Sequence, residues 1–254
     1  MYRMSDELIQ LISTLDEYFE GFFEKVTIIN GSHTPVTISR IITNHMTQFG
    51  TIRQVNENLK TFDYINNEDI VISIVDHIGK LKVTPAYPTD KLTVDAYSAF
   101  MSNIFRDIYM GLYIDVSQLN RALTSTDRAK LGDIDIKHSD FLTSSETYSN
   151  CDLCFGMLNP LKQGVEMYPP DNGYSMSKVV DVNGKNRFRS LKILKNSFGS
   201  DDIRIYYRFL GECGAMTELP KASEMNQTVT GTNMTHYDLL TLKDYQVNSR
   251  WRKD

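Results

Sequence analysis

The stretch Ile70-Val71-Ile72-Ser73-Ile74-Val75-Asp76-His77 sets the reading of this chain. A short β-branched run of this kind predicts a strand buried on both faces, here ending abruptly in a carboxylate and an imidazole. Upstream, Thr34-Pro35 has the form of a helix cap followed by proline at the first helical position. Ile38, Ile41, Ile42, Met46 and Phe49 continue at helical spacing, and Gly50 ends the segment. Before it, Ser5 caps a helix carrying Leu8, Leu11, Ile12, Leu15, Phe19 and Phe22, and Val26 to Ile29 is a short run of strand type. Downstream, Thr89 or Asp90 opens a helix with Val94, Tyr97, Met101, Ile104, Phe105 and Ile108 on one side, closed by Gly111. Leu112 to Val116 and Leu153 to Leu158 are two more strands.

This β-α-β-α-β rhythm predicts an α/β fold: a mainly parallel sheet flanked by helices. Ser190 to Leu194 and Ile203 to Leu210 flank a turn-rich segment and predict a C-terminal antiparallel hairpin closing the sheet. Beyond Pro220 the periodicity weakens. Residues 1–220 are therefore expected to form one domain and residues 221–254 a loosely structured tail.

Composition excludes several classes. With 254 residues, 41% hydrophobic and 23% charged, the chain is neither disordered, fibrous nor coiled-coil. No apolar run approaches the ~18 residues of a membrane helix, and the N-terminus carries no apolar signal core. Three cysteines without a signal predict free thiols in a reducing, cytoplasmic compartment. The net charge of −5 argues against a basic nucleic-acid coat, though not against a local binding loop.

An apolar strand ending in aspartate is the Walker B pattern, in which the carboxylate, here Asp76, holds Mg²⁺ through water at the C-terminal edge of a parallel strand. An aspartate there is also an ordinary turn residue, so the pattern needs company. The next strand ends in Ser117-Gln118-Leu119-Asn120-Arg121, and polar groups at the ends of neighbouring parallel strands converge on one crevice. Farther on come Ser139-Asp140, Asn150-Cys151-Asp152, Lys195-Asn196-Ser197-Phe198-Gly199 and Glu218-Leu219-Pro220.

In this order, over residues 5–220, these motifs resemble the RecA-like ATPase domain of DnaB-type replicative DNA helicases, in a form associated with bacteriophages and Bacteroidetes. The resemblance implies a ring-forming motor that couples ATP hydrolysis to movement along single-stranded DNA, in a bacterial or phage-infected cell. It implies catalytic roles for Asp76, Gln118 and Lys195 and a cofactor site of Asp76, His77, Ser117 and Gln118, with Mg²⁺ held by Asp76 through water. A second reading, from another class, is a non-catalytic scaffold or oligomerisation module of the same fold.

Two departures bear on the activity. No Gly-x-x-x-x-Gly-Lys-Ser/Thr loop is present, so no backbone cradle holds the ATP phosphates; the chain is expected to begin after that loop and the catalytic glutamate, and to need a partner chain carrying them. The family's hairpin arginine is Ser197, which has no fixed charge, leaving Lys195, with Arg204 or Arg208 as substitutes. The polar segment Arg121 to Ser139 reads as a loop; the resemblance implies that it holds single-stranded DNA by its phosphates through Arg121, Arg128, Lys130 and Lys137, and the other reading is a solvated loop of mixed charge. Cys151-x-x-Cys154 lacks the further ligands a zinc site needs and reads as strand thiols.

Overall fold

The computed structural model describes residues 10, 13–14, 19–119, 128, 134–141, 145–181 and 183–241. The chain divides into two units, Met1–His33 and Thr34–Asp254. In the first, residues 19–23 are helical and Phe22 and Phe23 pack edge to face with ring centroids 5.6 Å apart. The predicted strand Val26 to Ile29 does not form: no neighbouring strand pairs with it among the described residues, and Ile28 and Ile29 remain exposed.

The second unit opens with α1 (Pro35–Met46), whose cap is as predicted: the Thr34 hydroxyl accepts the Thr37 N–H at 3.1 Å. A hairpin that was not anticipated follows, β1 (Gly50–Gln54) paired antiparallel with β2 (Lys60–Tyr64). It buries Phe62 and leaves Ile52 exposed. The alternation in Thr61-Phe62-Asp63-Tyr64 and the Asn56-Glu57-Asn58 turn are its sequence signals.

Next come β3 (Ile72–Asp76), α2 (Asp90–Phe100) and β4 (Leu112–Val116). Thr89 caps α2, accepting the Leu92 N–H at 3.2 Å. The helix continues through a π-helical segment, Met101–Arg106, into the close approach at Gly111, where a Cβ would collide with the Phe105 ring. Only glycine fits there. β3 and β4 are parallel, with Asp76 opposite Val116, and α2 covers one face of the pair. Val94, Tyr97, Met101 and Phe105 form a core there with Met46, Phe62, Ile78 and Tyr109.

The expectation that β3 is buried on both faces is corrected. Ile72, Ile74, Leu112, Ile114 and Val116, on the side away from α2, are 42% to 66% exposed.

The remaining elements are α3 (Ser145–Asn150), β5 (Leu153–Leu158), β6 (Met167–Tyr168), β7 (Tyr174–Ser175), β8 (Phe188–Asn196), β9 (Arg204–Leu210), β10 (Ala215–Glu218) and α4 (His236–Thr241). The predicted hairpin is β8–β9, within a four-stranded antiparallel sheet ordered β10-β9-β8-β5. The mainly parallel sheet is a second correction: β5 pairs antiparallel with β8 and not with β4, so β3–β4 is the parallel pair among the described residues. The class is mixed α/β. Within the segment expected as a loose tail, Met225, Tyr237 and Leu240 are buried in the second core with Tyr168, Tyr174 and Phe188, while residues 242–254 lie outside the described residues. Isolated apolar residues in a polar segment escape a periodicity reading, yet each finds a place in this core.

Candidate functional site

The parallel register of β3 and β4 brings Asp76, Ser117 and Gln118 to one strand-end edge. Asp76 and Gln118 are exposed there, and Ser117 is half-buried. The Asp76–His77 peptide is cis. His77 is half-buried, and its Nδ1 is buried without a hydrogen-bond partner among the described residues.

Behind the edge, on the α2 side of β4, lies Asp115. Its Oδ1 accepts the Tyr97 hydroxyl at 2.6 Å, while its Oδ2 is buried with no partner among the described residues. Burial pushes this carboxyl up to about 6, against the opposing pull of the Tyr97 hydrogen bond. The same burial, with the Asp115 charge beside it, pushes the Tyr97 phenol far upward. Sequence reading passed over Asp115 because a polar residue in an apolar strand gives no hint of which face it occupies.

The edge offers one exposed carboxylate, Asp76, and no cluster of three or more acidic, histidine or cysteine residues occurs among the described residues. A magnesium ion at this edge would take its remaining oxygens from water and phosphate. The donor set fits half of a nucleotide site at most.

The other predicted residues are held elsewhere. Lys195, on β8, donates to the carbonyls of Tyr148 at 3.0 Å and Ser149 at 2.8 Å, so its ammonium caps the C-terminal end of α3. Arg204 grips Asp135, and the Arg208 Nε donates to the Leu240 carbonyl at 3.0 Å. Neither is poised to replace the charge missing at Ser197. Arg128 donates to the Asp140 carboxylate and, at 2.8 Å, to the Asp135 carbonyl. With Asp140 buried beside it, this guanidinium is neutralised within the fold rather than offered to a phosphate. Lys137 is exposed, and its N–H donates to Asp140 at 2.8 Å. Arg121 and Lys130 lie outside the described residues.

Asp135 is the hub that sequence reading missed. It takes Lys192 at 2.7 Å and Arg204, joining the segment before Lys137 to β8 and β9. Burial works to raise its carboxyl, but the hydrogen bonds from Arg204 and Lys192 prevail and hold it below the usual carboxylate range. Two surface clefts, of about 280 and 330 Å³, are lined by residues such as Leu59 and Asn103 in one and Tyr174 and Arg204 in the other, remote in sequence from Asp76 and Gln118.

No protein-family model matches the chain, and no curated protein matches it. Among solved structures, a DnaB-like replicative helicase, reported with its interactions with primase, superposes at a TM-score of 0.50 and 14% identity. The match covers 76% of this chain and 36% of the other. In fold, this chain is similar to a DnaB-like replicative helicase. A second solved structure, a separate ATPase domain, also matches, at a TM-score of 0.49 and 14% identity over 74% of this chain and 52% of that one. The chain thus spans about a third of the helicase chain and about half of the ATPase-domain chain. No helix among the described residues is long and apolar enough to cross a membrane.

Proposed function

We propose that this chain is one part of a ring-forming, RecA-like replicative helicase motor that uses ATP with Mg²⁺ to move along single-stranded DNA. It supplies the strand-end half of the nucleotide site. The observation carrying this reading is the parallel β3–β4 pair, which sets Asp76 and Gln118 at a common edge, as a ligand crevice at the carboxyl ends of parallel strands requires. The phosphate cradle comes from a partner segment, because no glycine-rich loop occurs in the sequence. Calorimetry on the isolated chain tests the division of labour. Weak or undetectable Mg-ATP binding is expected; micromolar binding by the chain alone would overturn it.

A specific observation favours the scaffold reading as the alternative. Lys195, Arg204 and Arg128 are each committed to protein groups, which suits a module kept for assembly rather than for phosphoryl transfer. The two readings separate on whether a ring containing this chain hydrolyses ATP and loses that activity with Asp76→Asn. DNA contact, in the helicase reading, runs through the segment 121–139, with Lys137 the exposed cation described there. Binding of single-stranded DNA that does not weaken with added salt would exclude a phosphate-based contact.

A further inference from the structure

Of the three thiols in the chain, two sit together. Cys151 closes the last turn of α3, its N–H donating to the Thr147 carbonyl at 3.2 Å, and Cys154 is the second residue of β5. The spacing predicted two strand thiols; only Cys154 is one. The two sulfurs are hydrogen bonded to each other, Cys154 donating and Cys151 accepting. Both residues are half-buried, whereas Cys213 is exposed on the turn between β9 and β10. No third acidic, histidine or cysteine side chain joins the pair among the described residues, so a four-ligand zinc site is not formed by them.

The surroundings favour one of the two sulfurs. A helix C-terminus is a poor place for an anion, because its last carbonyls carry the negative end of the dipole. Here Lys195, opposite Cys154 in the β5–β8 ladder, donates to two of those carbonyls, Tyr148 and Ser149. The Cys151 sulfur is 3.3 Å from the same Tyr148 oxygen, so ammonium and sulfur share one neighbour. The hydrogen bond from Cys154 and the Lys195 charge draw the Cys151 thiol down against its burial, while the same hydrogen bond and burial push Cys154 up. Asp152 is the opposing charge, and burial holds the Tyr113 and Tyr148 phenols neutral beside the pair. One sulfur is therefore the nucleophile and the other keeps its proton until called on.

We infer that Cys151 and Cys154 are a reversible dithiol–disulfide couple, a modification site for low-molecular-weight disulfides. The Cys151 thiolate attacks one sulfur of the small disulfide, forming a mixed disulfide and releasing one small thiolate. Cys154 then gives up its proton and attacks the Cys151 sulfur; the bond between the two cysteines forms as the mixed bond breaks and the second small thiolate leaves. Two electrons pass to the small disulfide, and the two cysteine protons end on the two released thiols. Sulfurs already in hydrogen-bond contact have only to close to about 2 Å. The bond would act on a node of the fold. The Asn150 carbonyl takes the Tyr113 hydroxyl at 3.0 Å and Arg106 at 2.9 Å, and the Asn150 amide donates to the Ser98 hydroxyl at 3.0 Å. The Asp152 carbonyl takes the Ser197 N–H at 2.9 Å, at the start of the β8–β9 turn. Drawing Cys151 toward Cys154 shifts residues 150–152, and with them the hold on Ser197.

The test uses the full chain carrying Cys213→Ser, equilibrated with glutathione and glutathione disulfide at rising proportions of the disulfide, quenched in acid and mapped by peptide mass spectrometry. The expected product is a bond between Cys151 and Cys154 within one chain, reversed by dithiothreitol. This mapping keeps both sulfurs native, so it does not hang on whether a serine variant folds. Cys154→Ser should instead accumulate the glutathione mixed disulfide on Cys151, and Cys151→Ser should react about tenfold more slowly. Lys195→Met should move the pH profile of Cys151 alkylation upward, and Lys195→Arg should bring it back, which a merely structural role would not do. The Ser197 amide should exchange faster in the disulfide form than in the dithiol. No bond between Cys151 and Cys154 at any proportion, bonds only between chains, or a mixed disulfide that settles on Cys154 overturns the couple. A Ser197 amide that exchanges no faster after oxidation overturns its link to the β8–β9 turn.

Discussion

Replacing Asp115 with asparagine is expected to stabilise the protein at neutral pH and to make no difference in acid. The carboxyl is raised from 3.8 to about 6 by burial, and its Oδ2 has no partner among the described residues. A rise of roughly two units corresponds to about 3 kcal/mol between the charged and neutral forms. Because the residue keeps some solvent contact, a measured gain of about 1–2 kcal/mol is expected. The sign follows from proton counts. Between about pH 4 and pH 6 the folded chain holds the Asp115 proton while the unfolded chain releases it, so this group's contribution falls as pH rises through that window. Above it the folded state carries a buried anion, and below it both states are neutral. Asparagine is neutral throughout, and its oxygen still accepts the Tyr97 hydroxyl while its amide takes the place of the orphaned oxygen. Urea denaturation of both proteins at a series of pH values reads the difference directly. The two stability curves should converge near pH 4 and separate by pH 7, with the variant above. Parallel curves, or a variant less stable at every pH, would show that Asp115 is not a buried anion at neutrality.

Asp135→Asn should destabilise the chain by about 2 kcal/mol, since Arg204 would lose its counter-charge while Lys192 keeps Asp202 at 2.9 Å; denaturant titration checks this, and a loss under about 1 kcal/mol would count against the hub. Lys195→Met should cost about 1 kcal/mol by uncapping the Tyr148 and Ser149 carbonyls, and amide exchange should quicken in α3 while Asp76 and its neighbours stay unchanged. Cys151 should alkylate faster than Cys154 at neutral pH, because hydrogen bonding from Cys154 outweighs burial and draws the Cys151 thiol down, while Cys154 is pushed up. Peptide mass spectrometry after brief iodoacetamide treatment reads the ratio, and equal labelling would contradict it.

Local chemistry made much of this chain legible in advance. Thr34-Pro35 and Thr89 cap their helices because a hydroxyl one residue ahead of the first turn meets orphaned amides whatever surrounds it. β3, β4 and the β8–β9 hairpin follow from β-branched runs and a turn-rich connection, and the β-α-β spacing placed Asp76 and Gln118 at a common edge. Pairing and cover were another matter. Nothing in Leu153 to Leu158 distinguishes a strand that pairs parallel with β4 from one that pairs antiparallel with β8, because an apolar run records burial and not the identity of its neighbour. Nothing in Ile72 and Ile74 says that their face lacks a cover, since hydrophobicity is the same whether or not the partner is present. The charged residues show it most clearly: Arg128 and Lys195 read as cations available to phosphate, yet long side chains reach whatever acceptor the fold brings within a few ångströms. That acceptor was Asp140, 12 residues along, for one and the end of α3, 46 residues back, for the other, and neither separation follows a local period that a sequence pattern records.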